Sequence, residues 1–387
     1  MRADNTLSGY LRYVKDFISW ELRRIRPGWT IPYWDENGEL TKAPLFLDSL
    51  ELVELAGLLA DRFHVRSTGA EDYFLARRTL TGWADLLKHT REQNVPDVSF
   101  ATSGSTGTPR LHTHTWKNLL REAAFFADVI GHRSRVIKTI PSHHIYGFLF
   151  TWLVPELLDI EVVEQSPEVP QWKTGDLVVT VPFMLDLWLK RKIPIPTDVT
   201  FILSTAPLPA YLAQSLLETG ARYYEIYGST ETLGIGWRTH PSHPFQLLPW
   251  WEVVIESPEK PPILKQGEKL YNFPDEVDIP TPGWVVPKKR HDGAIQVGGV
   301  NVYPSRVKSI LEQNSLVAQA AVRPFQEGAS IRLKAFIVPS QLSINQNILE
   351  MELRDWVSQH LTPPERPVSY SFGNTLPRSP MGKDADW

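Results

Sequence analysis

The chain's 387 residues suffice for two or three domains around a sizeable core, and an apolar fraction of 42% is ordinary for a soluble globular protein. A net charge of −4 gives no electrostatic reason to expect a nucleic acid or an anionic membrane as partner. Cysteine is absent, which excludes disulfides, thiolate zinc sites and a thiol nucleophile, and fits an intracellular protein.

In chain order, Leu11, Val14, Ile18 and Leu22 recur at helical spacing, and Leu50–Phe63 forms a second apolar-striped helix after a Pro- and Gly-rich loop over 27–44. Residues 1–27 carry scattered charges and lack the apolar core of a signal peptide, so the expected location is the cytoplasm. From Val95 to about Pro282, short apolar runs alternate with helical stretches. Strands are expected at 98–101, 136–140, 177–181, 199–203 and 222–226, with helices at 116–129, 182–190 and 209–219. The most apolar run, 145–158, holds Pro155 and Glu156 and is too short to span a bilayer. The alternation predicts an α/β domain with a mostly parallel sheet, whose binding loops lie past the carboxyl ends of its strands. From Gly283 a smaller α+β pattern follows, with helices near 305–314 and 349–360.

Thr102, Ser103, Gly104, Ser105, Thr106, Gly107, Thr108, Pro109 and Arg110 follow the first of these strands. Glycines let backbone N–H groups turn inward and the hydroxyls add donors, a composition suited to phosphate oxygens, although alone it also reads as a flexible turn. No Gly-Lys-Ser/Thr follows, so it is not a Walker loop. Further on come Pro141-Ser-His-His-Ile-Tyr-Gly147, Ser204-Thr205-Ala206-Pro207, Tyr227-Gly228-Ser229-Thr230-Glu231, an Asp275/Arg290 pair fifteen positions apart, Gly298-Gly299, and Pro377-Arg-Ser-Pro-Met-Gly-Lys383.

In this order the motifs resemble those of adenylate-forming enzymes: acyl- and aryl-CoA ligases, nonribosomal adenylation domains and luciferases. The resemblance implies ATP-dependent, AMP-forming activation of a small carboxylic acid, followed by transfer to a pantetheine thiol of coenzyme A or an acyl carrier protein. It implies that the 102–110 loop and Thr230 hold phosphates, Ser204–Ala206 and Tyr227–Gly228 the adenine side, Glu231 a Mg²⁺ ion, and Asp275 and Arg290 the ribose. Lys383 is implied as the catalytic cation between carboxylate and α-phosphate, Asp292 as the hinge, and Gly298 and Gly299 as the border of the thiol tunnel. His144 is implied beside the acyl pocket, with Tyr146, Phe183 and Trp237 as a candidate aromatic wall for an aryl acid. The run from Gly228 to Arg238 resembles that of small hydroxybenzoate-activating ligases of bacterial aryl pigment pathways. Departures are Arg110 for the usual Lys, Gln296 for another Lys, and Arg306 and Lys308 where acidic residues are usual.

The region before the loop is short for this family. Leu47-Asp48-Ser49-Leu50 resembles the attachment site of acyl carrier proteins, Ser49 being the residue that would take phosphopantetheine, and Phe46 stands where such sites carry Gly. The alternative is an ordinary helix capped by Asp48 or Ser49. The expected organisation is therefore a helical, carrier-like domain over 1–92, an adenylation core over 93–288 and a mobile C-terminal domain over 289–387. A degenerate, non-catalytic adenylation fold that binds an acyl-adenylate or a carrier protein is the rival reading. The pairs His112/His114, His143/His144 and His240/His243 read as core or loop residues, His144 excepted, because no Cys and no His-Glu-x-x-His helix accompanies them.

Overall fold

The computed structural model describes residues 6–26, 29–30, 32–102, 110–166, 168–257, 259–298, 300–327, 330–341, 345–377 and 386–387. The first helix, α1 (Leu7–Ile25), buries Tyr10, Tyr13, Val14, Phe17, Ile18 and Leu22 on one face, and Arg23 and Arg24 complement the dipole at its end. Helix α2 (Ser49–Arg62) opens on a capping box in which Asp48 accepts from the amides of Leu50 and Glu51 while Glu51 reaches back to the Asp48 amide. Short α3 (Tyr73–Ala76) and α4 (Leu80–Glu92) follow.

Strands β1 (Asp97–Thr102) and β2 (Arg110–Thr115) form a separate antiparallel pair, and α5 (Trp116–Ile130) leads on to β3 (Arg135–Lys138). Helix α6 (Ile145–Phe148), a π-helical turn over Leu149–Leu153 and α7 (Val154–Leu158) run together before β4 (Glu161–Glu164). Then β5 (Asp176–Thr180), α8 (Pro182–Lys190), β6 (Thr200–Leu203), α9 (Ala210–Glu218) and β7 (Arg222–Ser229) alternate. Pro182 stands at the first turn of α8, and Gly220 follows α9 with a φ of 81°. Strands β8 (Leu233–Arg238) and β9 (Phe245–Leu247) extend the sheet. The small sheet of β10 (Glu252–Val254), β11 (Ile263–Gln266) and β12 (Lys269–Asn272) precedes β13 (Asp275–Asp278) and β14 (Trp284–Arg290).

The main sheet has nine strands in the order β13-β14-β9-β8-β7-β6-β5-β3-β4. The half from β4 to β7 is parallel, as expected; β8, β9 and β14 join antiparallel. At the centre of the parallel half β5 and β6 are buried throughout, which is why they read as unbroken apolar runs.

The described residues group into two compact units, one within 1–102, 110–273 and 278–286, the other within 274–277 and 287–387. The long stretch of the second unit begins at 287, where the expected C-terminal domain begins at 289. The expected boundary near residue 92 is different: it separates no compact units, because the N-terminal helices are part of the large one. The ring of Tyr10 meets that of Trp152 edge-on at 4.5 Å, and both are fully buried. Asp16 accepts from Lys138 Nζ at 3.0 Å and from the Ser142 amide at 2.6 Å, fastening α1 to the end of β3.

The second unit contains β15 (Ile295–Val297), β16 (Val300–Val302), α10 (Pro304–Glu312), β17 (Val317–Glu327), β18 (Ser330–Pro339), α11 (Gln346–His360) and β19 (Ser369–Phe372). Its core gathers Val302, Val307, Leu311, Ile337, Leu349 and Leu353 between a three-stranded sheet and the helices.

Candidate active site

Three motifs of the sequence come to the carboxyl ends of the parallel strands β3, β6 and β7, where an open α/β sheet places its ligands. After β3, Pro141–Gly147 turns so tightly that a Cβ on Gly147 would lie 1.9 Å from the Pro141 carbonyl oxygen. Glycine is required there. After β6, Ser204 Oγ donates to the Ile226 carbonyl at 2.9 Å, and Thr205 is held at φ 76°, a conformation a β-branched residue rarely adopts. The buried Thr205 hydroxyl has no hydrogen-bond partner among the described residues. The turn thus combines an uncommon backbone conformation with an unpartnered hydroxyl.

At the end of β7 the Tyr227–Glu231 segment folds back into β8 through a register shift after Tyr227, and a Cβ on Gly228 would meet the Leu233 carbonyl oxygen at 2.3 Å. Ser229 Oγ lies 3.0 Å from Thr232 Oγ1 and ties the turn, leaving the Glu231 side chain 44% exposed. Two residues the sequence left as core or loop meet this turn from β2. His114 Nε2 lies 2.6 Å from the Thr230 carbonyl oxygen, and His112 Nε2 lies 3.5 Å from Glu231 Oε1. Burial pushes the His114 pKa down, so the ring is neutral near pH 7 and donates its one N–H to that carbonyl. The alternation His-Thr-His on a strand was the available signal: it puts two imidazoles on one face.

Thr102 and Arg110 pair across the base of the β1–β2 hairpin. Ser103, Gly104, Ser105, Thr106 and Gly107, like Gly299 and Lys383, lie outside the described residues.

His144 caps the start of α6, and its ring lies 5.2 Å from that of Trp20 on α1. Burial, and secondarily the charge of Arg62, push the His144 pKa down to about 4, so the ring is neutral in ordinary buffers. Tyr146 is buried with its hydroxyl 2.9 Å from the Thr180 carbonyl and 2.7 Å from that of Ile202, between the ends of β5 and β6. Phe183, half-buried, begins α8. Trp237 belongs to another aromatic group, with Phe125 and Tyr224. Sequence reasoning missed Trp20 and Arg62 because it assigned the N-terminal helices to a separate domain.

In the second unit Arg290 clasps Asp292 through two hydrogen bonds of 2.9 and 2.7 Å, and Asp292 also accepts from the Ala294 amide and from Tyr303 Oη. Burial opposes ionisation of Asp292, but these donors outweigh it and hold the carboxyl below its usual range. Asp275 is buried on β13, close enough for its charge to act on Arg290. The structure thus brings Asp275, Arg290 and Asp292 together. Gly298, at φ 59°, opens the turn between β15 and β16. Gln296, which replaces the usual Lys, pairs with Asn301 across that hairpin.

The AMP-binding enzyme family matches residues 98–269. A 4-coumarate–CoA ligase of Halorhodospira halophila is 37% identical over 360 residues, 90% of each chain. A second, from Cereibacter sphaeroides, is 36% identical over 89% of this chain and 84% of its own length. The chain belongs to the AMP-binding, adenylate-forming enzyme family. It is an AMP-forming acid–thiol ligase. The fold agrees: o-succinylbenzoate CoA synthetase from Bacillus subtilis superposes with a TM-score of 0.60 at 21% identity, over 74% of this chain and 67% of that one.

In this ligase the likeness to the H. halophila enzyme covers too much of the chain to omit the whole N-terminal region, in keeping with the helices' place in the large unit. No helix among the described residues is long and apolar enough to cross a membrane.

Proposed function

We propose that the ligase activates a planar aryl acid, of the hydroxycinnamate or hydroxybenzoate kind, to its acyl-adenylate and passes the acyl group to coenzyme A. The observation that carries this reading is the convergence of the turns at 141–147, 204–207 and 227–231 on one edge of the parallel sheet. The likeness to 4-coumarate–CoA ligases over nine-tenths of the chain supports the acid class and the acceptor.

The donors suit the substrates. Thr205 offers an unpaired hydroxyl to the nucleotide, and the Asp275–Arg290 pair offers an acceptor and a donor to ribose hydroxyls. Glu231 presents a half-exposed carboxylate, a hard oxygen ligand of the kind Mg²⁺ prefers. No group of three or more protein ligands surrounds it among the described residues, which suits an ion that takes its remaining ligands from phosphate oxygens and water. When bound, Mg²⁺ supplies positive charge that offsets the repulsion between carboxylate and triphosphate.

Lys383 is assigned the same office on the α-phosphate side: its ammonium orients the acid's carboxylate and stabilises charge developing at the phosphorus. His144, neutral, borders the acid without adding a positive charge that would bind the carboxylate in the wrong place. Asp292, clasped by Arg290, is the proposed pivot that withdraws Lys383 before the thiol attacks. Coenzyme A is preferred to a carrier arm at Ser49 because α2 belongs to the large unit; the capping box of Asp48 and Glu51 fits either reading.

Pyrophosphate–ATP exchange over 4-coumarate, 4-hydroxybenzoate, benzoate, o-succinylbenzoate and fatty acids tests the reading. Exchange is expected with hydroxyaryl acids. Exchange with none of them sinks it in favour of the non-catalytic fold. Intact mass after co-expression with a phosphopantetheinyl transferase tests Ser49 separately: a gain of about 340 Da restores the carrier role.

A further inference from the structure

An isolated two-stranded antiparallel pair is marginal in water, and β1 and β2 form a sheet of their own. Something must hold that pair. On one face of β2, Thr113 Oγ1 lies 2.8 Å from Ser99 Oγ, which lies 3.0 Å from His64 Nε2. On the other, His114 and His112 reach two consecutive residues of the 227–231 turn, the Thr230 carbonyl at 2.6 Å and the Glu231 carboxylate at 3.5 Å. Nothing else named above fixes the exposed Glu231 side chain.

We propose that His112 and His114 are positioning residues that clamp strand β2 to the Thr230–Glu231 turn and set the orientation of the cation-binding carboxylate of Glu231. The proposal rests on the adenylation reading. Neither histidine is a metal ligand in this scheme. His114 spends its Nε2 proton on a carbonyl that can only accept, and His112 orients the carboxylate as outer partners orient metal ligands elsewhere.

The test compares His112→Leu, His112→Gln, His114→Leu and His114→Gln with the wild type. ATP affinity is measured by calorimetry across a MgCl₂ titration, beside melting temperature and the KM for the acid. Losing an outer partner typically costs about 10–100-fold in metal affinity. His112→Leu is therefore expected to raise the Mg²⁺ concentration for half-maximal ATP tightening about tenfold, and His114→Leu to weaken MgATP binding in the same range. The Gln variants, which keep an N–H near the lost Nε2, should recover most of either loss, and the KM for the acid should stay put. Folded Leu variants within twofold of wild type, or Gln variants as impaired as Leu, overturn the clamp. Should His114→Leu fail to fold, the half-exposed His112 pair decides alone. A wild type that binds MgATP but exchanges with no acid removes the ligase reading and leaves the clamp standing; a wild type that binds no MgATP overturns both.

Discussion

Glu122 gives the sharpest prediction of stability. It sits fully buried on α5, and the Gly234 amide lies 3.1 Å from each of its oxygens. A Cβ on Gly234 would come within 2.5 Å of Glu122 Oε1, so the carboxyl fills the space a side chain would take. Neighbouring Arg121 lies over the Trp250 ring at 4.4 Å. Burial dominates, and the carboxyl pKa rises from 4.5 to about 7 despite the Gly234 amide and the Arg121 charge. Between these two values the folded chain holds a proton that the unfolded chain has lost, so stability falls as pH rises through that window. The shift of about 2.5 units corresponds to roughly 3 kcal/mol, complete by about pH 8. Glu122→Gln keeps an oxygen for the Gly234 amide and removes the titration. Urea midpoints of both proteins at pH 5 and pH 8 should show the variant close to wild type at the lower pH and more stable at the higher. Equal pH dependence in the two proteins refutes the argument, as does a variant that gains at pH 5.

Three other expectations concern packing and chemistry. Gly9→Ala would place a methyl 1.9 Å from Trp152 Nε1, inside a fully buried ring. Overpacking of this kind costs about 1–3 kcal/mol and should outweigh the roughly 1 kcal/mol of helix propensity gained, so a melting temperature at or above wild type would contradict the seating of α1. Asp16→Ala strands the Ser142 amide and removes one of two carboxylates from Lys138, whose side chain is 6% exposed. A loss of about 3 kcal/mol in chemical denaturation is expected; less than about 1 would mean that Glu164 alone satisfies the lysine. Lys383→Ala should lower pyrophosphate exchange by about two to three orders of magnitude while leaving ATP affinity within a few-fold, and exchange at wild-type rate would remove the lysine from the reaction.

Strands β3, β5, β6 and β7 were legible in the sequence as apolar runs whose helices are punctuated by Pro182 and Gly220; β4, a four-residue edge strand with a glutamate at each end, was not. The antiparallel strands β8, β9 and β14 were not, since they are short, carry glycines and polar residues, and take their order from pairing that no local pattern specifies. Glu231, Asp275, Arg290 and Asp292 could be singled out because the motifs that resemble the family's fix residue types at set spacings, and their roles as ligands stay proposals. His112 and His114 were passed over because two imidazoles on a strand specify no ligand until the opposing turn is in place. The N-terminal segment is ambiguous for a definite reason. Asp48-Ser49-Leu50-Glu51 at the start of a helix satisfies a capping box and a carrier motif equally well, and only the destination of α1 separates them. That destination was foreshadowed. Tyr10, Tyr13, Phe17 and Trp20 within eleven residues make an aromatic face too large for three short helices to cover.

The central claim is that one site on this sheet edge joins an aryl acid to coenzyme A at the expense of ATP cleaved to AMP. Incubation of the protein with 4-coumarate, ATP, MgCl₂ and coenzyme A, followed by chromatography of nucleotides and thioester, measures it directly. AMP and the aryl-CoA thioester should appear in equal amounts, and both should vanish when the acid or ATP is omitted. Formation of ADP instead of AMP, or no nucleotide consumed with any acid of the panel, would contradict the account.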